Sequence, residues 1–228
     1  MTAIFEAAMG EQFQRLHPQI RRRFAVSEES GQAFIGTGVM EQIWHRSGWV
    51  KPFLALGSTR HILAPKRGTN VPFRIENIPY TDSLGRSTVS FVRTFEYPGA
   101  KPARFDAQMV QVPGTRQVVD YLGTHQHLVT PLDFHAAPDG SLTIRSGALR
   151  FLEGPVKFTF PSLMAADAVI TDSYDDAAEC FRIDVQVINR QLGPLFGYRG
   201  WFTGEFRPLE ELTARIEQLR PRRETARR

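Results

Sequence analysis

The fold of this chain is read most directly from residues 180–206, CFRIDVQVINRQLGPLFGYRGWFTGEF. In the first part, every second side chain is apolar and lies on one face of an extended strand: Phe181, Ile183, Val185 and Val187. In the last part, one face carries only aromatic residues and glycines: Phe196, Tyr198, Gly200, Phe202, Gly204 and Phe206. A period of two predicts antiparallel strands with one buried face. Glycines within a strand predict a sharp bend or the close approach of another backbone.

Most of the chain before this segment has the same period of two. Further strands are predicted near 33–44, 71–75, 87–97, 103–112, 116–122, 126–135, 141–151 and 168–174. Turn sequences separate them, and no ten-residue helices lie between them. About ten strands exceed what a small flat sheet holds comfortably. We therefore predict an α+β protein with a strongly curved antiparallel β-sheet, a barrel or half-barrel, and a two-layer sandwich is the alternative.

Short helices are predicted at both ends of the sheet. Residues 2–24 carry apolar residues at helical spacing and predict two N-terminal helices. The triplet Arg21-Arg22-Arg23 is expected on the solvated face of the second helix. A C-terminal helix begins at Pro208. Residues 1–220 are therefore predicted to form a single β-rich domain, followed by a basic flexible tail, 221–228.

The charge of the chain excludes one class of partner. The 228 residues include 28 Lys and Arg against 24 Asp and Glu, a net charge of +4. Residues 215–228 hold six Arg and two Glu, which accounts for the whole excess. The body is therefore neutral, and no nucleic-acid partner is expected. No secretory signal or membrane span is recognisable, so a cytoplasmic location is predicted.

Four short motifs occur in one order along the chain: LHPQIRRRF (16–24), GTGVME (36–41), FVRTFEY (91–97) and PLFGYRGWF (194–202). Together they resemble the bacterial family described as domain of unknown function 4166, over residues 4–206 or so. Members of that family sometimes follow an NAD(P)-binding oxidoreductase domain, so the resemblance implies a companion role beside an oxidoreductase. It supplies no catalytic residues. The chain lacks a dinucleotide-binding glycine fingerprint of its own, and no cofactor is predicted.

Two charged side chains fall on apolar faces of predicted strands. Arg93 lies among the alternating apolar residues of 87–97, and Glu41 shares a face with the apolar residues of 33–44. A buried charge is costly unless it is paired, so each predicts a partner, a solvated lumen or a ligand. The alternatives are an internal salt bridge between Arg93 and Glu41, or a one-residue bulge that turns a charge outward.

The closing strand and the histidines supply further candidates. Tyr198, Arg199 and Trp201 are candidate ligand contacts; the alternative is a core anchor with an arginine stacked on a tryptophan. His125 and His127 would share one strand face, the spacing of some β-barrel metal sites, and His135 would have the same parity. No carboxylate follows the pair, so an exposed polar face is preferred and no metal is predicted.

Two apolar segments interrupt the strand pattern, SGWVKPFLALG (47–57) and FPSLMAADA (160–168). The first is interpreted as a plug for the open end of the curved sheet, or as a lid over a cavity mouth.

The leading functional hypothesis is binding of an apolar or amphipathic small molecule in a β-barrel cavity. Its ligand-binding residues are then Glu41, Arg93, Tyr198, Arg199 and Trp201. One alternative is a cofactor-independent enzyme of isomerase, cyclase or hydrolase type, with Glu41 or a histidine as acid or base and Arg93 stabilising an anion. Another is an accessory domain of an NAD(P)-dependent oxidoreductase system.

Overall fold

The computed structural model describes residues 3–46, 66–126, 128–153, 156–159, 166–221 and 224. Within them, the α-helices are α1 (Ile4–Met9), α2 (Pro18–Phe24) and α3 (Thr213–Leu219), and two 3₁₀ helices span Gly10–Arg15 and Leu209–Leu212. The strands are β1 (Gln32–His45), β2 (Gly68–Thr81), β3 (Ser87–Phe95), β4 (Ala103–Gln111), β5 (Val118–Leu122), β6 (Leu128–Ala136), β7 (Leu142–Ser146), β8 (Arg150–Glu153), β9 (Val156–Thr159), β10 (Asp167–Asp175), β11 (Cys180–Asn189) and β12 (Gly193–Pro208). None of the described helices is long and apolar enough to cross a membrane.

Ten of the described strands close into an antiparallel barrel. Their order is β5-β4-β3-β2-β1-β12-β11-β10-β7-β6, and β6 pairs back with β5. The predicted curved antiparallel sheet with helices at both ends is confirmed as a closed barrel, and the sandwich alternative is wrong.

The predicted strand 141–151 is two strands with different partners. β7 pairs with β6 and β10 and ends at Ser146. The backbone N–H of Gly147 then donates to the carbonyl of Pro131 at 2.8 Å. β8 resumes beside the first residues of β6 and forms a hairpin with β9, a strand that the period-two pattern did not reveal.

The N-terminal helices fill one end of the barrel with aromatic side chains. Phe5 of α1 packs edge-on against Phe24, Phe91 and Phe134, with ring centroids 5.0, 5.8 and 5.6 Å apart. The apolar spacing predicted for residues 2–24 is thus the packing surface of a plug. Pro18 fits the first turn of α2 because its missing N–H is not needed there.

Arg23 is buried, which corrects the expectation that the whole arginine triplet is solvated. The side chain is 1% exposed. Its guanidinium carbon lies 4.9 Å from the centroid of the Phe24 ring and 4.8 Å from that of the Phe202 ring. Its guanidinium donates to Asp172 Oδ1 at 2.6 Å and to Asn77 Oδ1 at 3.0 Å. Arg21 is half-buried and Arg22 is exposed. The helical spacing did not reveal this burial because the carboxylate that neutralises Arg23 lies on β10, 149 residues away.

The C-terminal helix packs on the outside of the barrel. Leu219 of α3 is 3% exposed and packs against buried outward-facing residues of β1, β2 and β3: Ala33, Ile35, Ile78 and Val92. Arg215 donates to both carboxylate oxygens of Glu76, at 3.0 and 2.5 Å. Burial by itself raises the pKa of Glu76, but the hydrogen bonds and charges of Arg215 and Arg74 outweigh it and hold the pKa below its usual value.

The strands β1 and β12 approach each other too closely for side chains at several glycines, including Gly200 and Gly38. A Cβ on Gly200 would lie 2.1 Å from the Val39 carbonyl oxygen and 2.6 Å from Met40 Cα. A Cβ on Gly38 would lie 2.1 Å from the Trp201 carbonyl oxygen. The expectation that the glycines of the closing strand mark a close backbone approach is confirmed.

We expect Asp172→Ala to lower the free energy of unfolding by about 3–5 kcal/mol, because it leaves the Arg23 charge buried without its carboxylate. Urea unfolding measures this loss. The control is Asp167→Ala, which removes the exposed pair with Arg190 at 3.3 Å. The Asp167→Ala substitution should lower the free energy of unfolding by at most about 1 kcal/mol. Equal losses in the two variants would contradict the buried ion pair.

We expect Gly200→Ala to destabilise the protein by about 1–3 kcal/mol, since the new methyl group forces two strand backbones apart. Thr203→Ala, at an exposed position of the same strand, should change stability by less than about 0.5 kcal/mol. Thermal unfolding compares the two; a Gly200→Ala variant as stable as the wild type would show that the strands separate freely here.

Candidate functional site

Arg93 points into the barrel from β3, as the alternation predicted. Its cross-strand partners are Ile75 on β2 and Phe105 on β4, which are both buried. The side chain is 5% exposed, and its guanidinium carbon lies 4.5 Å from the centroid of the Phe105 ring. A cation–π contact stabilises the charge in part, but it does not use the N–H donors of the guanidinium.

Asp120 points into the same lumen from β5, opposite Met109 and Thr130. It is 6% exposed, and within the described residues its Oδ1 atom has no hydrogen-bond partner. Burial raises the pKa of this carboxyl from 3.8 to about 7, although the nearby charge of Arg93 opposes the shift. A buried carboxyl that changes protonation near neutral pH is a candidate functional group.

Tyr198 completes the polar set from β12. It is 1% exposed, and its ring packs edge-on against Phe95 with centroids 5.2 Å apart. Burial raises the pKa of the hydroxyl, and the neighbouring Arg93 opposes that rise. The hydroxyl has no close hydrogen-bond partner among the described residues, but the Arg93 guanidinium lies near enough to interact with its oxygen. The Tyr198 hydroxyl thus remains neutral, and its proton is available to a further acceptor.

The two ends of the barrel differ in how far the described residues cover the inward-facing side chains. At the end plugged by α1 and α2, Phe34, Val118, Ala136 and Leu142 are fully buried, while Phe134 and Tyr174 are half-buried. At the opposite end, several inward-facing residues keep part of their surface uncovered: Ala103, Leu122, Leu128, Ser146, Ala168, Ile170 and Val187. Most of these residues lie near the rim of the barrel, so the described side chains leave this rim partly exposed.

Glu41 does not lie in this lumen, which corrects the expectation from the sequence. The pairing of β1 with β12 shifts between Met40 and Gln42, so that Glu41 occupies a bulge. Its side chain is 47% exposed, and its Oε1 atom lies 3.4 Å from Nη1 of Arg182 on the outer surface. The bulge reverses the parity of β1, and the inward residues before it are Phe34, Gly36, Gly38 and Met40. Of the alternatives given for Glu41, a bulge with the charge facing outward is the one that the structure shows.

Arg199 and Trp201 lie on the outer face of β12, because alternate residues of a strand point to opposite sides. Arg199 is exposed and Trp201 is half-buried. The structure therefore places Tyr198 beside Arg93 but leaves these two residues outside the lumen.

The histidines do not form the predicted strand pair. His125 belongs to a turn before β6, and Gln126 has a positive φ of 54°. His127 lies outside the described residues. His135 is on β6 but faces outward and is exposed. Across the described part of the chain, no three His, Cys, Asp or Glu side chains are grouped as metal ligands would be.

The two apolar segments, 47–57 and most of 160–168, also lie outside the described residues. The interpretation of 47–57 as a plug or a lid stays a prediction.

A concavity lies on the surface, between α2 and the plugged end of β10, β11 and β12. It has a volume of about 310 Å³ and includes Arg22, Glu179 and Glu205 in its wall. The guanidinium carbon of Arg22 lies 4.2 Å from the centroid of the Phe206 ring. Charges of both signs line this groove, and the buried polar atoms that lack partners lie elsewhere in the described structure. The lumen is therefore the stronger candidate site.

The raised pKa of Asp120 predicts a specific dependence of stability on pH. In the unfolded chain the pKa of Asp120 is about 3.9, whereas in the folded protein it is about 7. Between these values the folded state binds more protons, so ionisation of Asp120 lowers stability as the pH rises. We expect Asp120→Asn to gain stability relative to the wild type over this range and to reach a plateau above it. Urea unfolding of both proteins from pH 4 to 9 measures this difference, and a pH-independent difference would contradict the raised pKa.

Comparison with known proteins supplies the family. The model of the family described as "Domain of unknown function (DUF4166)" matches residues 16–202. The uncharacterized protein YndH of Bacillus subtilis (strain 168) is 31% identical over 207 residues, which cover 91% of this chain and 99% of the relative. No solved structure matches the chain. Since the family model spans most of the barrel, including the motifs of α2, β1, β3 and β12, this chain belongs to the DUF4166 family.

Proposed function

We propose that the barrel binds an apolar or amphipathic small molecule in its lumen, at the end opposite α1 and α2. The polar anchors would be Arg93, Asp120 and Tyr198. One observation carries the proposal: these three buried side chains point into the barrel lumen, and Asp120 Oδ1 and the Tyr198 hydroxyl have no close hydrogen-bond partner among the described residues.

The width of the barrel supports this function. A barrel of about eight strands is just wide enough for its own side chains to fill, and additional strands widen it. Here ten strands close the wall. The N-terminal helices occupy one end, and the partly uncovered inward residues lie at the other. A mostly apolar cavity with a few polar groups is the usual form of a small-molecule site.

The unused hydrogen-bonding capacity supports the proposal energetically. A buried polar atom without a partner costs about 1–3 kcal/mol. Both Asp120 Oδ1 and the Tyr198 hydroxyl are in this position among the described residues. A ligand that supplies partners to them would recover this cost on binding, which a packed apolar core could not do.

A second candidate function is proton-transfer catalysis without a cofactor, and Asp120 is the observation that favours it. General acids and bases work best when their pKa lies near the operating pH, and burial raises the pKa of Asp120 to about 7. Arg93 would then stabilise an anion formed from the substrate. In this version Asp120 takes the acid or base role first considered for Glu41 or a histidine. Recovery of the bound molecule, chemically unchanged or converted, distinguishes binding from catalysis.

The remaining sequence-based expectations stay predictions. They are the oxidoreductase partner, the absence of a nucleic-acid partner, the cytoplasmic location, and the division into a domain of residues 1–220 and a basic tail of residues 221–228.

The binding function predicts that filling the lumen blocks ligand uptake. We expect the wild-type protein to bind the neutral fluorescent probe N-phenyl-1-naphthylamine, and Ala168→Phe to weaken binding at least about tenfold, or about 1.4 kcal/mol. Ala168 faces inward opposite Val187 and is only partly buried, so a larger side chain enters the lumen.

The matched control is Val169→Phe, one residue along β10 on the outer face, where the side chain is also half-buried. This variant should bind the probe as the wild type does. The thermal stability of both variants shows whether the lumen accommodates the larger ring. Failure of the wild type to bind the probe, together with a marked loss of stability in Ala168→Phe, would mean that the lumen is packed and would overturn the proposed function.

A further inference from the structure

We propose that the ligand of this lumen carries a carboxylate head group, bound by the Arg93 guanidinium beside the Tyr198 hydroxyl and the Asp120 carboxyl. This inference rests on the proposed binding function and adds the chemical class of the ligand.

The first argument is the charge balance of the barrel interior. Arg23, at the plugged end, is neutralised by Asp172 at 2.6 Å. Arg93 is almost as buried, but its contacts are the Phe105 ring at 4.5 Å and the nearby Tyr198 hydroxyl, and no carboxylate of the described residues forms an ion pair with it. A buried guanidinium without a full counter-ion is costly. A ligand with one negative charge would supply the missing partner.

Asp120 does not cancel the charge of Arg93. Its Oδ1 atom accepts no hydrogen bond from the described residues. With a pKa of about 7 it is substantially protonated at neutral pH. Among the described lumen side chains, positive charge therefore exceeds negative charge at neutral pH, and this excess favours an anion over a neutral head group.

The available hydrogen bonds favour a carboxylate in particular. A guanidinium presents its donors in a planar fork that matches the two oxygens of a carboxylate. The Tyr198 hydroxyl and a protonated Asp120 add two further donors beside it. A single arginine next to a partly ionised carboxyl is a poor site for a doubly charged phosphate, which needs more positive charge. The aromatic walls formed by Phe95 and Phe105 suit an apolar tail.

The test compares two ligands that differ only in the head group. Dodecanoic acid and dodecan-1-ol are each titrated against the wild-type protein loaded with N-phenyl-1-naphthylamine, and probe displacement gives both affinities. We expect the acid to bind about tenfold or more tightly than the alcohol, as is usual for a hydrogen bond between charged groups. Arg93→Met should remove this preference and leave the binding of the alcohol unchanged within about threefold.

Arg199→Met is the matched control, because Arg199 is an exposed arginine on the outer face of β12. It should keep the full preference for the acid. Arg93→Lys retains the charge but loses the planar fork, and it should keep only part of the preference. If Arg93→Met fails to fold, the wild-type comparison and Arg93→Lys still decide the question.

The outcomes separate the two proposals. Equal affinity of the wild type for acid and alcohol would overturn the carboxylate inference and leave the binding function standing. Loss of the preference in Arg199→Met would also overturn it, because the anion would then bind outside the barrel. Failure of the probe, the acid and the alcohol to bind would overturn the proposed function itself.

Discussion

The width of a ten-stranded barrel is the constraint on which this structure depends. A wall of ten strands encloses more space than its inward side chains can fill, and an empty apolar core would forfeit the dispersion contacts that stabilise a protein. The chain uses its N-terminal helices to fill one end, where Phe5 and Phe24 meet Phe91 and Phe134 of the wall. At the other end the described wall residues remain partly uncovered, and the polar side chains Arg93, Asp120 and Tyr198 face the same space.

Two buried arginines show how the two ends differ. Arg23 donates to Asp172 and Asn77 and is surrounded by aromatic rings, so its charge is neutralised within the protein. Arg93 has an aromatic cover but lies near a carboxyl whose pKa burial raises to about 7, so that this carboxyl is only partly ionised at neutral pH. The same side chain therefore serves as a structural link at the plugged end. At the lumen it is a charge that a ligand would neutralise.

The parity of a strand explains which site residues the sequence could predict. Arg93 and Tyr198 lie on β3 and β12, where alternation continues without a break through each residue, and both face inward as predicted. Glu41 lies at a bulge where the parity of β1 changes, and it shares the outward face with Thr37 and Val39, so its charge lies on the surface. Asp120 was missed because its strand, VVDYL, is buried on both faces and has no polar face for comparison. A carboxylate within such an apolar strand was the signal that could have identified it.

The sequence alone determined the strand-rich fold, the helices at both ends and the inward positions of Arg93 and Tyr198. These features follow from local periodicity, since side chains alternate along a strand and recur every three to four residues in a helix. The tertiary structure decided that the sheet closes, that Arg23 is buried, and that Asp120 shares a lumen with Arg93 and Tyr198. These features depend on pairing between distant strands, because β1 meets β12, near the other end of the chain, only when the barrel closes. Arg23 likewise meets Asp172 only when the plug enters the barrel. Local sequence does not specify such contacts, and they set the electrostatics of the lumen.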